Sequence, residues 1–229
     1  MRQEALCEAV FRPLAHVVVL ALAPLRVPPP AVVLASAAFG VAGAVELARG
    51  HLVVAALLIQ AKTILDNADG QLARLTGRVT TFGRYLDAEC DLLVNAALFA
   101  GLGWYTGRPL LAVLGFVALT AVLSANFNVE RVARHGPVGW DDSVLGRVYG
   151  VLYGWQDRIA ERLLASRRIQ LWQVATLANL GLSTQLAVFG LCLVVGHPTA
   201  YVWLLVVELL VVAALLLTPL NREVSLEHH

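Results

Sequence analysis

The chain has 229 residues, of which 59% are hydrophobic and 14% charged. A soluble domain carries about 25% charged residues, so an ordinary water-soluble enzyme is excluded and an integral membrane protein is indicated. The net charge of +1 points to no class of partner. No basic-aromatic pattern for nucleic acid, no G-x-G-x-x-G and no P-loop occurs, so the distribution of charge along the chain has to carry the argument.

The expected fold is all-α: a single membrane domain over residues 1–223 with six transmembrane helices, an N-terminal interfacial helix and an amphipathic helix between spans four and five. The first apolar run, 14 to 25, is too short to cross and is flanked by Arg12 and Arg26, which predicts a helix lying in the interface. It ends in Arg26 and prolines without a small-residue cleavage site, so no cleavable leader is expected. The spans are placed at 31–48, 52–74, 82–103, 109–129, 174–195 and 200–218. The first is rich in small residues (Ala35, Ala37, Ala38, Gly40, Ala42, Gly43, Ala44), which let helices approach closely in lipid. Between about 144 and 165, Val148, Leu152, Trp155, Ile159 and Leu163 recur at helical spacing opposite Arg158, Glu161 and Arg162, which reads as an amphipathic surface helix. Residues 224–229 are read as a purification-tag remnant. Cys7, Cys90 and Cys192 lack metal-type spacing and are expected to be free thiols.

With six spans both termini share one side. That side, with the adjoining helix ends, holds 15 of the 17 basic residues, and only Arg49 and Arg108 fall opposite. Positive residues stay cytoplasmic, so both termini and the loop at 76–81 are expected to face the cytoplasm of a cell inner or plasma membrane. Trp104, Tyr105, Tyr201 and Trp203 are expected at the far interface, and Trp140, Trp155 and Trp172 at the near one.

Residues 66 to 91, DNADGQLARLTGRVTTFGRYLDAECD, are the chemical centre. Asp66, Asp69, Gly70 and Ala73 share one face of the second span, and Gly83, Asp87 and Asp91 one face of the third. The short loop makes these helices expected antiparallel neighbours whose acidic faces meet. A carboxylate in a span costs several kcal/mol or more unless neutralised, and divalent cations neutralise such a cluster. Hard oxygen ligands suit Mg²⁺ or Mn²⁺. The small residues Gly70, Ala73 and Gly83 leave room for a ligand, and Arg74 stands nearby, an arrangement suited to a pyrophosphate group.

The pattern D-x2-D-G-x2-A-R-x8-G-x3-D-x3-D is met at Asp66, Asp69, Gly70, Ala73, Arg74, Gly83, Asp87 and Asp91. It resembles the signature of the CDP-alcohol phosphotransferases. The resemblance implies transfer of a substituted phosphate group from a CDP-linked donor, commonly CDP-diacylglycerol, to an acceptor alcohol with release of CMP. It implies two metal ions, Mg²⁺ or Mn²⁺, on Asp66, Asp69 and Asp87 with Asp91 close by. Asp91 would be the general base, Gly70, Ala73, Arg74 and Gly83 would line the donor site, and the protein would be a homodimer. Members that use glycerol phosphate or inositol phosphate hold its phosphate with arginines. Arg131, Arg134, Arg167 and Arg168 are the candidates here, against a bland reading as headgroup anchors. Asn67 resembles members that use CDP-choline or CDP-ethanolamine, and CDP-inositol is a further alternative donor.

Lys62, one turn before Asp66, is expected either to be an internal counter-charge or to snorkel to the interface. Glu89 is expected to point elsewhere on its helix. Glu208, an isolated acid in the sixth span, is expected to be structural: protonated, at a dimer contact, or paired with a polar group of another helix. Asn126, Asn128, Asn179 and Gln185 are expected to make interhelical hydrogen bonds. The competing class is a cation-coupled transporter, in which intramembrane acids mark an ion path. Against it, the acids cluster at one end of two helices and no second set continues across.

Overall fold

The computed structural model of the protein describes residues 4–135 and 171–217. Every regular element among them is helical. A π turn, Cys7–Phe11, leads into α1 (Arg12–Leu22), followed by α2 (Pro29–Ala48), α3 (Leu52–Leu75), α4 (Thr81–Thr106) and α5 (Pro109–His135), then α6 (Leu171–Ala178), α7 (Leu182–Val194) and α8 (Pro198–Leu217). Proline opens α2, α5 and α8, where its missing N–H is no loss and its fixed φ suits the first helical residue. Gly107 ends α4 in the left-handed region at φ +64°, a conformation that favours glycine. Thr80 caps α4 by accepting from the Gly83 N–H at 3.0 Å.

Among the described residues three helices are long and apolar enough to cross a membrane: Pro29–Ala48, Pro109–Val129 and Pro198–Leu215. Large apolar side chains such as Leu34, Val113, Val117 and Leu210 stand exposed on them, as lipid-facing residues should. The chain is an integral membrane protein. The other expected spans differ in character. α3 and α4, at 24 and 26 residues, have the length but carry the aspartates. The expected fifth span is broken at residues 179–181 into α6 and α7, and α7 has 13 residues, short of the roughly 20 needed to cross. The expected amphipathic helix at 144–165 lies outside the described residues.

The helix expected at the interface forms as α1. It buries Ala15 and Val19 against Val32 of α2 and Ala68 and Leu72 of α3, and leaves Leu14, Val17 and Leu20 exposed. This seats it beside the half of α3 that carries the aspartates.

α2 is the centre of the packing. It lies along both α3 and α4, whereas α3 and α4 approach each other closely at few points. The acidic faces of α3 and α4 do meet, as expected, but through their side chains: α2 forms a floor, and α3 and α4 rise from it as two walls. Its small residues make this possible. Ser36, Gly40, Gly43 and Ala44 are all buried. At the end away from the aspartates, Gly101 of α4 lies against the Ala44 backbone, so that a methyl group added there would run into the Ala44 carbonyl.

The main core joins α2, α3, α4, α5, α7 and α8 around Phe99, Phe189 and Tyr201. The Phe189 and Tyr201 rings stack with centroids 4.7 Å apart. Tyr201 was expected at the interface but is only 1% exposed. Its ring completes the aromatic stack and its hydroxyl donates to Gln185 Oε1 at 3.2 Å. Trp104, 81% exposed, and Trp203 do stand outward at that end.

Candidate functional site

The helical spacing of the aspartates works as the sequence indicates. Asp66 and Asp69 come from the α3 wall and Asp87 from the α4 wall, and each offers one oxygen to a group in which all three lie within 4.8 Å of one another. The walls are far enough apart for the side chains, rather than the backbones, to meet. Asp69 is buried at 7% exposure, and its Oδ2 has no hydrogen-bond partner. An unpaired carboxylate oxygen in a buried site is costly, and a cation would give it a partner.

Asp91 does not join that trio. Its Oδ1 accepts from the Lys62 ammonium, which also donates to Asp66 Oδ1 at 2.7 Å. Lys62 is 2% exposed, so of its two expected roles the structure selects the internal counter-charge. When ionised, four carboxylates against this one ammonium leave three negative charges uncompensated. All-oxygen donors, excess negative charge and an unpaired buried oxygen together fit divalent cations of the Mg²⁺ or Mn²⁺ type.

The floor takes part. Ser36 Oγ of α2 lies 3.2 Å from the Lys62 carbonyl oxygen and 3.4 Å from Asp66 Oδ1. Gly40 lies against Val94 of α4 and beside the Lys62 stem: a methyl there would run into Val94 and come within 3.3 Å of Lys62 Cγ. Ser36 and Gly40 lie too far away in sequence for the motif to reveal them.

The small motif residues stand where the sequence suggests. Gly70 and Ala73 follow the aspartates on α3, and Gly83 lies in the first turn of α4, each partly exposed. Arg74 is exposed and folds back over Gly70, with Nη1 3.4 Å from where a Gly70 methyl would be. Arg74 also lines a cavity of about 460 Å³ with Glu8, Arg12, His16 and Gln71, so α1 contributes a wall beside the motif. The sequence reading did not assign α1 this role.

Asn67 has no free polar group to offer a substrate. Its Nδ2 donates to the Thr63 carbonyl at 2.8 Å and to Ser183 Oγ at 3.2 Å, and its Oδ1 accepts from Cys7 Sγ at 3.0 Å. It ties α3 to α7 and to the N-terminal turn. Glu4 extends that tie: its Oε2 accepts from the Thr184 N–H at 3.2 Å, capping α7 from 180 residues away.

Of the four candidate acceptor arginines, Arg131 and Arg134 fall on the last turns of α5, which runs beyond its expected end at 129. Arg167 and Arg168 lie outside the described residues. Glu208 has the polar interhelical partner that was one of its expected fates, accepting from Gln185 Nε2 at 2.6 Å. Asn128 departs from expectation: it bonds Ser124 one turn back on its own helix at 2.9 Å rather than another helix.

Comparison with known proteins places this geometry in context. The sequence profile of a family described as CDP-alcohol phosphatidyltransferase matches residues 26–212. A phosphatidylinositol phosphate synthase of Corynebacterium glutamicum is 40% identical over 82 residues, covering 35% of this chain and 37% of that protein. One of Mycolicibacterium smegmatis is 34% identical over 124 residues, covering 52% of this chain and 55% of that protein. The chain thus spans about a third to a half of the length of these relatives. A solved structure of Mycobacterium tuberculosis phosphatidylinositol phosphate synthase with CDP-DAG bound aligns over 85% of this chain and 94% of its own, at 22% identity and a TM-score of 0.44.

Proposed function

Because the chain belongs to the CDP-alcohol phosphatidyltransferase family, we propose that it transfers a substituted phosphate group from a CDP-linked lipid, CDP-diacylglycerol, to an acceptor alcohol and releases CMP. The observation that carries this reading is the convergence of Asp66, Asp69 and Asp87 from two walls onto one point, with ligand oxygens within 4.8 Å. The acceptor is a phosphorylated polyol. Inositol phosphate is favoured over glycerol phosphate by the similarity to phosphatidylinositol phosphate synthases.

The residues divide the work as follows. Gly70, Ala73 and Gly83 leave space for the donor's pyrophosphate, and Arg74 meets its charge. Two Mg²⁺ or Mn²⁺ ions held by Asp66, Asp69 and Asp87, with Asp91 adjacent, would supply positive charge to the phosphoryl oxygens and the leaving phosphate. The acceptor hydroxyl oxygen forms a bond to the donor's β-phosphorus. The bond from that phosphorus to the oxygen of CMP breaks, and CMP leaves with the electron pair. Asp91 takes the hydroxyl proton as general base, a role that its position outside the trio leaves open. Arg131, Arg134, Arg167 and Arg168 hold the acceptor's phosphate.

The distribution of basic residues supports a cytoplasmic site with both termini on the same side. A homodimer is part of this reading. The buried small face of α2 is used inside the chain, but Ala35, Ala38 and Ala42 remain exposed on the opposite face, where a second copy could approach closely.

The test is CMP release by the purified protein in detergent with Mg²⁺ or Mn²⁺ and CDP-diacylglycerol. Glycerol 3-phosphate, inositol 1-phosphate, inositol and serine are offered as acceptors. Release that depends on inositol 1-phosphate and is lost in Asp91→Asn supports the reading. Release with another acceptor corrects the acceptor alone. No release with any acceptor, followed by release from CDP-choline or CDP-inositol, would replace the donor.

A further inference from the structure

The Lys62 ammonium does more than neutralise charge. Its stem is enclosed by α2 at Gly40, and its head bridges Asp66 on one wall to Asp91 on the other, where α3 and α4 make little direct contact. It is 2% exposed, so solvent does not screen it. Asp66 is therefore shared. One oxygen is engaged by Lys62 at 2.7 Å, while the carboxylate also belongs to the trio with Asp69 and Asp87. Any cation on the trio meets a fixed positive charge competing for the same ligand. Asp91 is bound on the other side of that ammonium and kept out of the trio.

We propose that Lys62 is a positioning residue that acts as a resident counter-ion: it holds the two walls in register when no divalent cation is bound, sets apart Asp91, and lowers the trio's affinity for cations. This rests on the reading of the trio as a metal site. Two like charges about 4 Å apart repel by several kcal/mol at the effective dielectric of a partly buried site. Removing the ammonium therefore tightens cation binding while loosening the cation-free protein.

The experiment compares the full chain with Lys62→Met and Lys62→Arg in detergent. Mn²⁺ binding is read by the loss of the free-ion EPR signal, and thermal unfolding is followed with and without Mn²⁺. The expected result is that Lys62→Met binds Mn²⁺ at least about tenfold more tightly than wild type. It should unfold at a lower temperature without metal and recover most of the difference at saturating Mn²⁺. Lys62→Arg, which keeps the charge, should stay within about threefold of wild type in affinity. Unchanged affinity in Lys62→Met, or a stability deficit of the same size with and without Mn²⁺, overturns the proposal and leaves the metal site standing. Failure of the wild type itself to bind Mn²⁺ overturns the metal reading instead. Should Lys62→Met not fold, Asp91→Asn and Asp91→Asn/Lys62→Met offer the same comparison with one carboxylate fewer. The same tightening between those two is expected, and its absence overturns the proposal.

Discussion

Among the described residues, the lone acid Glu208 and the aspartate cluster of α3 and α4 are treated in opposite ways. Glu208 on α8 meets Gln185 at 2.6 Å, and Gln185 in turn accepts from Tyr201 at 3.2 Å, so each side chain of this set has a named partner. The set is tied together by hydrogen bonds between packed helices. The aspartates of α3 and α4 have one ammonium among four carboxylates, and Asp69 Oδ2 is left with no partner. A fold able to satisfy Glu208 could satisfy these too. Leaving them unsatisfied keeps ligand atoms available. The contrast separates an acid that holds helices together from acids that could hold a cation.

Substitutions can break this contrast. The largest effect is expected from Asp91→Asn, which should lower turnover by about 10³-fold while preserving the folded state. CMP release and a thermal melt of the same preparation check this, and retained turnover would sink the general-base assignment. Chelation comes next: EDTA should abolish CMP release, and Mg²⁺ or Mn²⁺ should restore it. Activity indifferent to chelation removes the metal from the mechanism. Asp69→Asn, which exchanges the unpaired oxygen for an amide, should weaken Mn²⁺ binding by about 10- to 100-fold, a range like that seen when a metal site loses a supporting group. Asn67→Ala should cost about 1 to 2 kcal/mol of stability with little change in metal affinity, as measured by unfolding with and without Mn²⁺. The smallest effect belongs to Glu208→Gln. It keeps an acceptor for Gln185, so turnover and Mn²⁺ affinity should stay within about threefold of wild type and stability within about 1 kcal/mol. A large loss of turnover in Glu208→Gln would erase the distinction between the two groups.

The cage was legible because it depends on local geometry: acids at i, i+3 or i, i+4 must share a helix face. What surrounds the cage was less legible because it depends on packing between distant segments. Lys62 lies one turn before Asp66, so the pairing was available, but its fate is decided by Gly40 below and Asp91 opposite. The short connection at 76–80 made α3 and α4 neighbours, but that both rest on the small-residue face of α2 depends on packing the motif does not show. Tyr201 sits near a turn and looked interfacial. The stack with Phe189 assigns it to the core. The break at residues 179–181 falls at Gly181, a signal that the sequence reading did not use.

The contact of Gly101 with the Ala44 backbone fixes how closely α4 lies on α2 at a point far from the aspartates. Gly101 lies ten residues beyond Asp91, about 15 Å along a helix at 1.5 Å per residue. A methyl group there would push α4 off α2 and is expected to shift Asp87 and Asp91 relative to Asp66 and Asp69. Such a change touches no ligand, no substrate and no charge. It would register as a loss of affinity for the cation, and a mutational survey confined to the neighbourhood of the aspartates would never find it.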